Sequence, residues 1–155
     1  PARESSAAAT PLEIGRAEVL REGRDAWLLA AGSMVAPCLE AAALLEASGL
    51  SVGAVNMRFI KPLDVELLRR LLVPGVLAVT VEENSIVGGL GAAVLEWAAA
   101  RGGDGPPDVM TLGLPDRFLD QASRDAILHG VGLDAAAIAD RVRLRCRAGR
   151  ARAAT

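Results

Sequence analysis

Glu82, Glu83 and Asn84 stand together a short gap ahead of Gly88-Gly89-Leu90-Gly91, and these are the residues in the chain best suited to chemistry. Two carboxylates in one cleft shift each other's protonation and are the material of general acid–base catalysis. A glycine turn that opens a helix can bring backbone N–H groups against a phosphate or another anion. Each idea meets a counter-argument in the residues themselves. Neighbouring residues on a strand point to opposite faces, so Glu82 and Glu83 are poorly placed to act on one atom. The preferred role is structural, with one of them capping nearby N–H groups or pairing with Arg58. The dinucleotide fingerprint G-x-G-x-x-G, started at Gly89, requires its third glycine where the chain has Val94. A turn that lets the helix pack closely is therefore preferred over nucleotide binding. An exposed helix N-terminus at this point would still meet an anion or a partner's carboxylate.

Other reactive side chains are isolated. His129 is the one histidine, beside Gly130, with no serine or cysteine nucleophile motif near it, and reads as a surface or helix-end residue. Cys38 and Cys146 lie on helical segments without motif spacing, as expected of two reduced thiols in a cytosolic protein. One histidine and two distant cysteines make no metal site. Gly103-Asp104-Gly105 resembles the opening of a thiamine-diphosphate and Mg²⁺ motif, but no asparagine follows Asn84, so the likeness is a coincidence and the tripeptide reads as a surface turn.

These residues need a frame to position them. With 155 residues, 52% hydrophobic and 3% aromatic, the chain has an aliphatic core of single-domain size. There is no Tyr and no basic stripe interleaved with aromatics, so nucleic-acid binding is excluded as an expectation. No apolar run is long enough to span a bilayer, and no signal peptide is visible. Residues 1–140 hold nineteen acids and eleven bases, a net −8, whereas 141–155 add six arginines and no acid. The pattern predicts strands at 17–21, 26–31, 50–57, from Leu77, and at 108–112. Helices are predicted at 34–48, with Ser33 as N-cap and Gly49 beyond its end, and at 65–72, capped by Asp64. Further helices follow at 92–100, at Ser123–Leu128, and from an Asp134 cap to about Arg145. Strands alternating with helices give an α/β fold, a three-layer α/β/α sandwich around a mostly parallel five-stranded sheet. The first strand, joined to the second by a tight turn, is expected to be an antiparallel edge strand. Residues 1–10 read as a linker, 11–147 as the domain, and 148–155 as a disordered basic tail. A first residue other than Met suggests a piece of something longer.

Three segments together carry a resemblance. AAGSMVAPCLEAAALLEASGLSVGAVNMRFIKPLD, LAVTVEENSIVGGLGAAVLEWAA and LGLPDRFLDQASRDAILHGVGLDAAAIADRV resemble, in that order, the C-terminal domain of the 1-deoxy-D-xylulose-5-phosphate synthase family. The match spans about Pro11 to Val142. Its broader pattern is shared across C-terminal domains of the transketolase superfamily. Val81–Asn84 combined with Gly113-Leu114-Pro115-Asp116-Arg117-Phe118 points to the synthases. One departure is Ala92, where many relatives have serine after the glycines.

The resemblance implies a three-domain, cytoplasmic, homodimeric transferase that uses thiamine diphosphate and Mg²⁺ to join pyruvate, after decarboxylation, to D-glyceraldehyde 3-phosphate. It serves isoprenoid, thiamine and pyridoxal biosynthesis. The cofactor and substrate residues of such enzymes lie in the first two domains, so this segment is expected to bind no cofactor or metal and to catalyse nothing alone. Its partners are then the upstream domains of the same chain and the second subunit, with no nucleic acid or membrane. Glu82, Glu83, Asn84, Gly88, Gly89 and Gly91 become a candidate interdomain or anion-binding edge. The alternatives are the equivalent domain of a transketolase or of a 2-oxoacid dehydrogenase β subunit, where this surface helps dock a partner, and a stand-alone interaction module.

Overall fold

A computed structural model describes residues 11–101 and 107–153. The elements are β1 (Glu18–Arg21), β2 (Ala26–Ala30), a 3-10 turn (Gly32–Met34) leading into α1 (Val35–Ala47), β3 (Val52–Asn56) and α2 (Val65–Leu71). They continue with β4 (Leu77–Ser85), α3 (Leu90–Ala100), β5 (Asp108–Leu114), α4 (Arg124–Val131) and α5 (Ala135–Ala153). The sheet order is β1-β3-β2-β4-β5, with β1–β3 antiparallel and every other pair parallel.

β2 is central because its sequence, AWLLA, is apolar on both faces and all five residues are buried. Its alternate residues serve two cores. Ala26, Leu28 and Ala30 pack with Cys38 and Leu45 of α1, Leu128 of α4, and Ile138 and Val142 of α5. Trp27 and Leu29 pack with Leu67 and Leu71 of α2 and with Leu90 and Val94 of α3. The expected three-layer α/β architecture follows directly from this period of two.

β1 is the expected antiparallel edge strand, but it does not form a hairpin with β2. It pairs with β3, with Glu18 opposite Asn56. The connecting turn is fastened to the start of β3: the N–H groups of Arg24 and Asp25 donate to the Ser51 carbonyl at 2.9 and 2.8 Å. The Asp25 carboxylate accepts from Ser51 N at 2.7 Å. The chain thus steps across β3, and β2 keeps both edges for parallel partners.

Helix ends follow the sequence closely where the cap is local. Asp64 Oδ1 accepts from Leu67 N at 3.0 Å, Ser123 Oγ from Ala126 N at 3.3 Å, and Asp134 Oδ1 from Ala137 N at 2.8 Å. Gly132, at φ +73°, closes α4. Two expectations are corrected. Ser33 does not cap α1, because the 3-10 turn places Met34 at the N-cap in a helical conformation and no side chain bonds there. The last helix does not stop near Arg145; α5 is helical to Ala153. Its Ala/Arg composition favours helix, and Arg143–Asp140 and Arg145–Asp108 ion pairs tie it to itself and to β5.

Candidate functional site at the carboxyl edge of the sheet

β2 leads into α1 on one face of the sheet and β4 leads into α3 on the other, so a crevice opens between their carboxyl ends. A cavity of about 280 Å³ lies there, lined by Gly32, Ser33, Met57, Arg58, Glu83 and Asn84 among others. The sequence-predicted residues converge on this edge, and a distortion of β4 presents them. Val81 pairs with Leu112 and Ser85 with Leu114, so residues 82–84 bulge opposite the single residue Gly113. A Cβ at Gly113 would meet the Asn84 carbonyl oxygen at 3.1 Å and Ile86 Cα at 3.2 Å, which is why the facing residue is glycine.

Glu82 turns inward and is 2% exposed. Its Oε2 accepts from Leu90 N at 2.8 Å and its Oε1 from Gly91 N at 2.9 Å. The carboxylate therefore satisfies two of the free N–H groups at the start of α3 and lies at the positive end of its dipole. Gly89 makes room for it, since a Cβ there would stand 1.9 Å from Oε2. Gly91 allows the helix down onto the sheet, where a Cβ would be 2.8 Å from Thr111 Cγ2. The glycine turn is thus the socket of an internal carboxylate. The Leu90 and Gly91 N–H groups at this helix start are thus taken by the chain's own Glu82.

Glu83 points to the opposite face. Arg124 of α4 grips it with two bonds, Nε to Oε1 at 2.7 Å and Nη2 to Oε2 at 2.6 Å, and the Ser33 hydroxyl also donates to Oε2. The Arg124 bonds first, and Ser33 second, hold the Glu83 carboxyl below the usual carboxylate range. This clasp joins the turn after β2, the end of β4 and the start of α4. Arg58, expected as a partner of the glutamates, pairs with Glu18 at 2.6 Å and sits at φ +53°. Asn84 is exposed. Sequence reasoning missed Arg124 and Ser33 as partners of Glu83, since nothing local links positions 41 and 50 residues apart.

No acid–base pair results, because the two carboxylates serve different faces. His129 bonds elsewhere, with Nδ1 at 2.6 Å from Asp134 Oδ2 on the exposed corner between α4 and α5. The Ala137 amide, then His129, keep the Asp134 carboxyl low. Cys38 is buried, which pushes its thiol up to about 12, and Cys146 is half-buried on α5. Among the described residues no group of three His, Cys, Asp or Glu is arranged to hold a metal. With Glu82 bonded to amides and Glu83 to Arg124 and Ser33, the carboxylates at this edge do not fit a Mg²⁺–diphosphate donor set. Gly103-Asp104-Gly105 lies outside the described residues. No helix among the described residues is long and apolar enough to cross a membrane.

Comparison with known proteins agrees with this geometry. The chain is 48% identical over 134 residues to 1-deoxy-D-xylulose-5-phosphate synthase of Chlorobium luteolum, covering 86% of this chain and 21% of that protein. Against the same enzyme of Nitrosospira multiformis it is 49% identical, with the same coverage. The chain spans about one fifth of the length of these relatives. Among solved structures it resembles a split-gene transketolase, described as an inactive β4 tetramer. There the TM-score is 0.78 and identity 38%, covering 86% of this chain and 43% of the other. Transketolase variants from Pichia stipitis share the fold, one with a TM-score of 0.61 at 19% identity over 87% of this chain and 18% of its own. The family model for the transketolase C-terminal domain matches residues 15–138, and the chain belongs to that family.

Proposed function

We propose that this chain is the non-catalytic C-terminal domain of a thiamine-diphosphate- and Mg²⁺-dependent 1-deoxy-D-xylulose-5-phosphate synthase. The complete enzyme converts pyruvate and D-glyceraldehyde 3-phosphate to 1-deoxy-D-xylulose 5-phosphate and CO₂ as a cytoplasmic homodimer. In this reading the cofactor and substrates are held by preceding domains. The edge formed by Glu82, Glu83, Asn84, Gly88, Gly89 and Gly91 serves interdomain packing and dimer stability. One observation carries the reading: both carboxylates at the carboxyl edge are bound within the domain, Glu82 by the amides of Leu90 and Gly91 and Glu83 by Arg124 and Ser33. The edge is built as a rigid surface, with both glutamates engaged inside the domain. The synthase relatives, of which this chain matches one fifth, support the choice of enzyme.

The test expresses the complete reading frame beside the 155-residue chain. The long protein is expected to form 1-deoxy-D-xylulose 5-phosphate when given thiamine diphosphate and Mg²⁺. The short chain is expected to form none and to give no heat on titration with thiamine diphosphate. Turnover by the short chain, or none by the long one, would overturn the proposal.

A further inference from the structure

Of the ten large apolar side chains exposed among the described residues, five lie at one end of the sheet, whereas Leu20, Leu44, Val73, Leu95 and Leu144 are spread over β1, α1, the end of α2, α3 and α5. Among the large hydrophobic residues, Phe118 is 105% exposed, Ile14 73%, Val87 65% and Leu12 58%. Val87 follows β4 and Phe118 follows β5, both on loops at the carboxyl edge. Ile60, 40% exposed, follows β3 on the same edge. Leu12 and Ile14 come to this edge by another route. β1 is antiparallel and Glu18 pairs with Asn56 at the end of β3, so the chain ahead of β1 must lie at the carboxyl end of the sheet. Two contacts hold it there. A Cβ at Gly15 would stand 3.0 Å from Pro62 Cγ, and Arg16 bonds Glu66 at 2.6 Å at the start of α2. Exposed rings and branched chains on one edge, converging on the place where the polypeptide comes in, form a surface made to be covered.

We infer that the arc Leu12–Ile14, Ile60, Val87 and Phe118 is the docking face for the domain that precedes this one in the same polypeptide, with Phe118 as its central anchor. This rests on the reading above that such domains exist. The occupant is chosen by position. A chain that arrives beside Pro62 tethers whatever precedes it to this edge, which makes docking here an intramolecular step at high effective concentration. Relatives five times as long supply the mass to cover it. Beside Phe118 a cavity of about 580 Å³, lined by Ser85, Leu114, Pro115, Asp116, Arg117 and Leu119, gives an incoming apolar side chain a seat. A buried aromatic in such a setting is the usual centre of an interface. The acidic clasp of Glu83 with Arg124 lies next to this arc and stiffens it.

The test places a photo-reactive benzoyl-phenylalanine at position 118, and separately at 87, in the complete polypeptide. The same probe at position 144 is the control, since Leu144 is 66% exposed on α5 next to Arg145, which binds the start of β5 at the amino edge. Probes at 118 and 87 are expected to cross-link to peptides from the preceding domain at least tenfold more than the probe at 144. Mixed ¹⁴N- and ¹⁵N-labelled protein is expected to show that these links lie within one chain. Links only between chains, equal yields from 144, or none from 118 and 87 would overturn the inference. A reading frame with no preceding domain would instead overturn the reading it rests on, and mass spectrometry of the intact protein separates the two cases.

Discussion

At the residue scale, Glu82 shows how a sequence can advertise chemistry and deliver architecture. A carboxylate beside glycines suggests a reacting pair or an anion site, yet each of its oxygens accepts from a backbone amide, Leu90 N and Gly91 N. That one of the two glutamates would cap backbone was legible in the sequence, because alternation on a strand separates neighbours. Which helix it would cap was not, since the answer depends on how β4 bulges against Gly113. Replacing Glu82 by Ala leaves two buried amides without a charged acceptor and is expected to cost about 3 kcal/mol, read from chemical denaturation. Gly89→Ala would drive a methyl into the carboxylate, and a loss of about 2 kcal/mol is expected in the same assay. The cysteines give a separate check on packing. With its thiol pushed up to about 12 and no access to solvent, Cys38 should stay unlabelled by iodoacetamide at pH 8. Cys146 is expected to react first, and peptide mapping distinguishes them.

At the element scale, the caps set by Asp64, Ser123 and Asp134 were readable because each acts within three residues of itself. The clasp of Ser33, Glu83 and Arg124 was not, because it ties three elements that only the folded sheet brings together. Its pH behaviour follows from its sign. Glu83 is held low in the folded state, so its contribution is present above the ordinary carboxylate range and is lost as pH falls through the folded value. The Glu83→Gln protein is expected to lose that part of the acid dependence, seen as a flatter stability profile below about pH 4.5. Because Arg124 is half-exposed, the loss at neutral pH should be no more than about 1 kcal/mol. The far end of α5 was misread because a run of arginines resembles a solvated tail, although alanine and arginine are both strong helix formers. Ala148→Pro is expected to reduce helical circular dichroism while leaving the core's melting midpoint within a few degrees.

For the whole molecule, the α/β class, the five strands and the three layers were legible in the hydrophobic pattern, since a two-faced apolar strand and one-faced helices admit few arrangements. The partner of β1 was not, because strand pairing across the sheet leaves no mark in local sequence. That order of strands sets a timetable for synthesis. β2, the strand on which both cores depend, is complete at Ala30, yet its second neighbour β4 does not reach Val81 until about fifty residues later. At ribosomal speeds of ~5–20 residues per second, β2 waits some 3–10 s with one edge unmatched. β1, the first of these strands to be made, cannot be placed until β3 exists, so it is not the first of them to fold. The nascent chain therefore carries a bare apolar strand while residues 31–81 are made, and slowing elongation between Ala30 and Val81 should raise its dependence on chaperones.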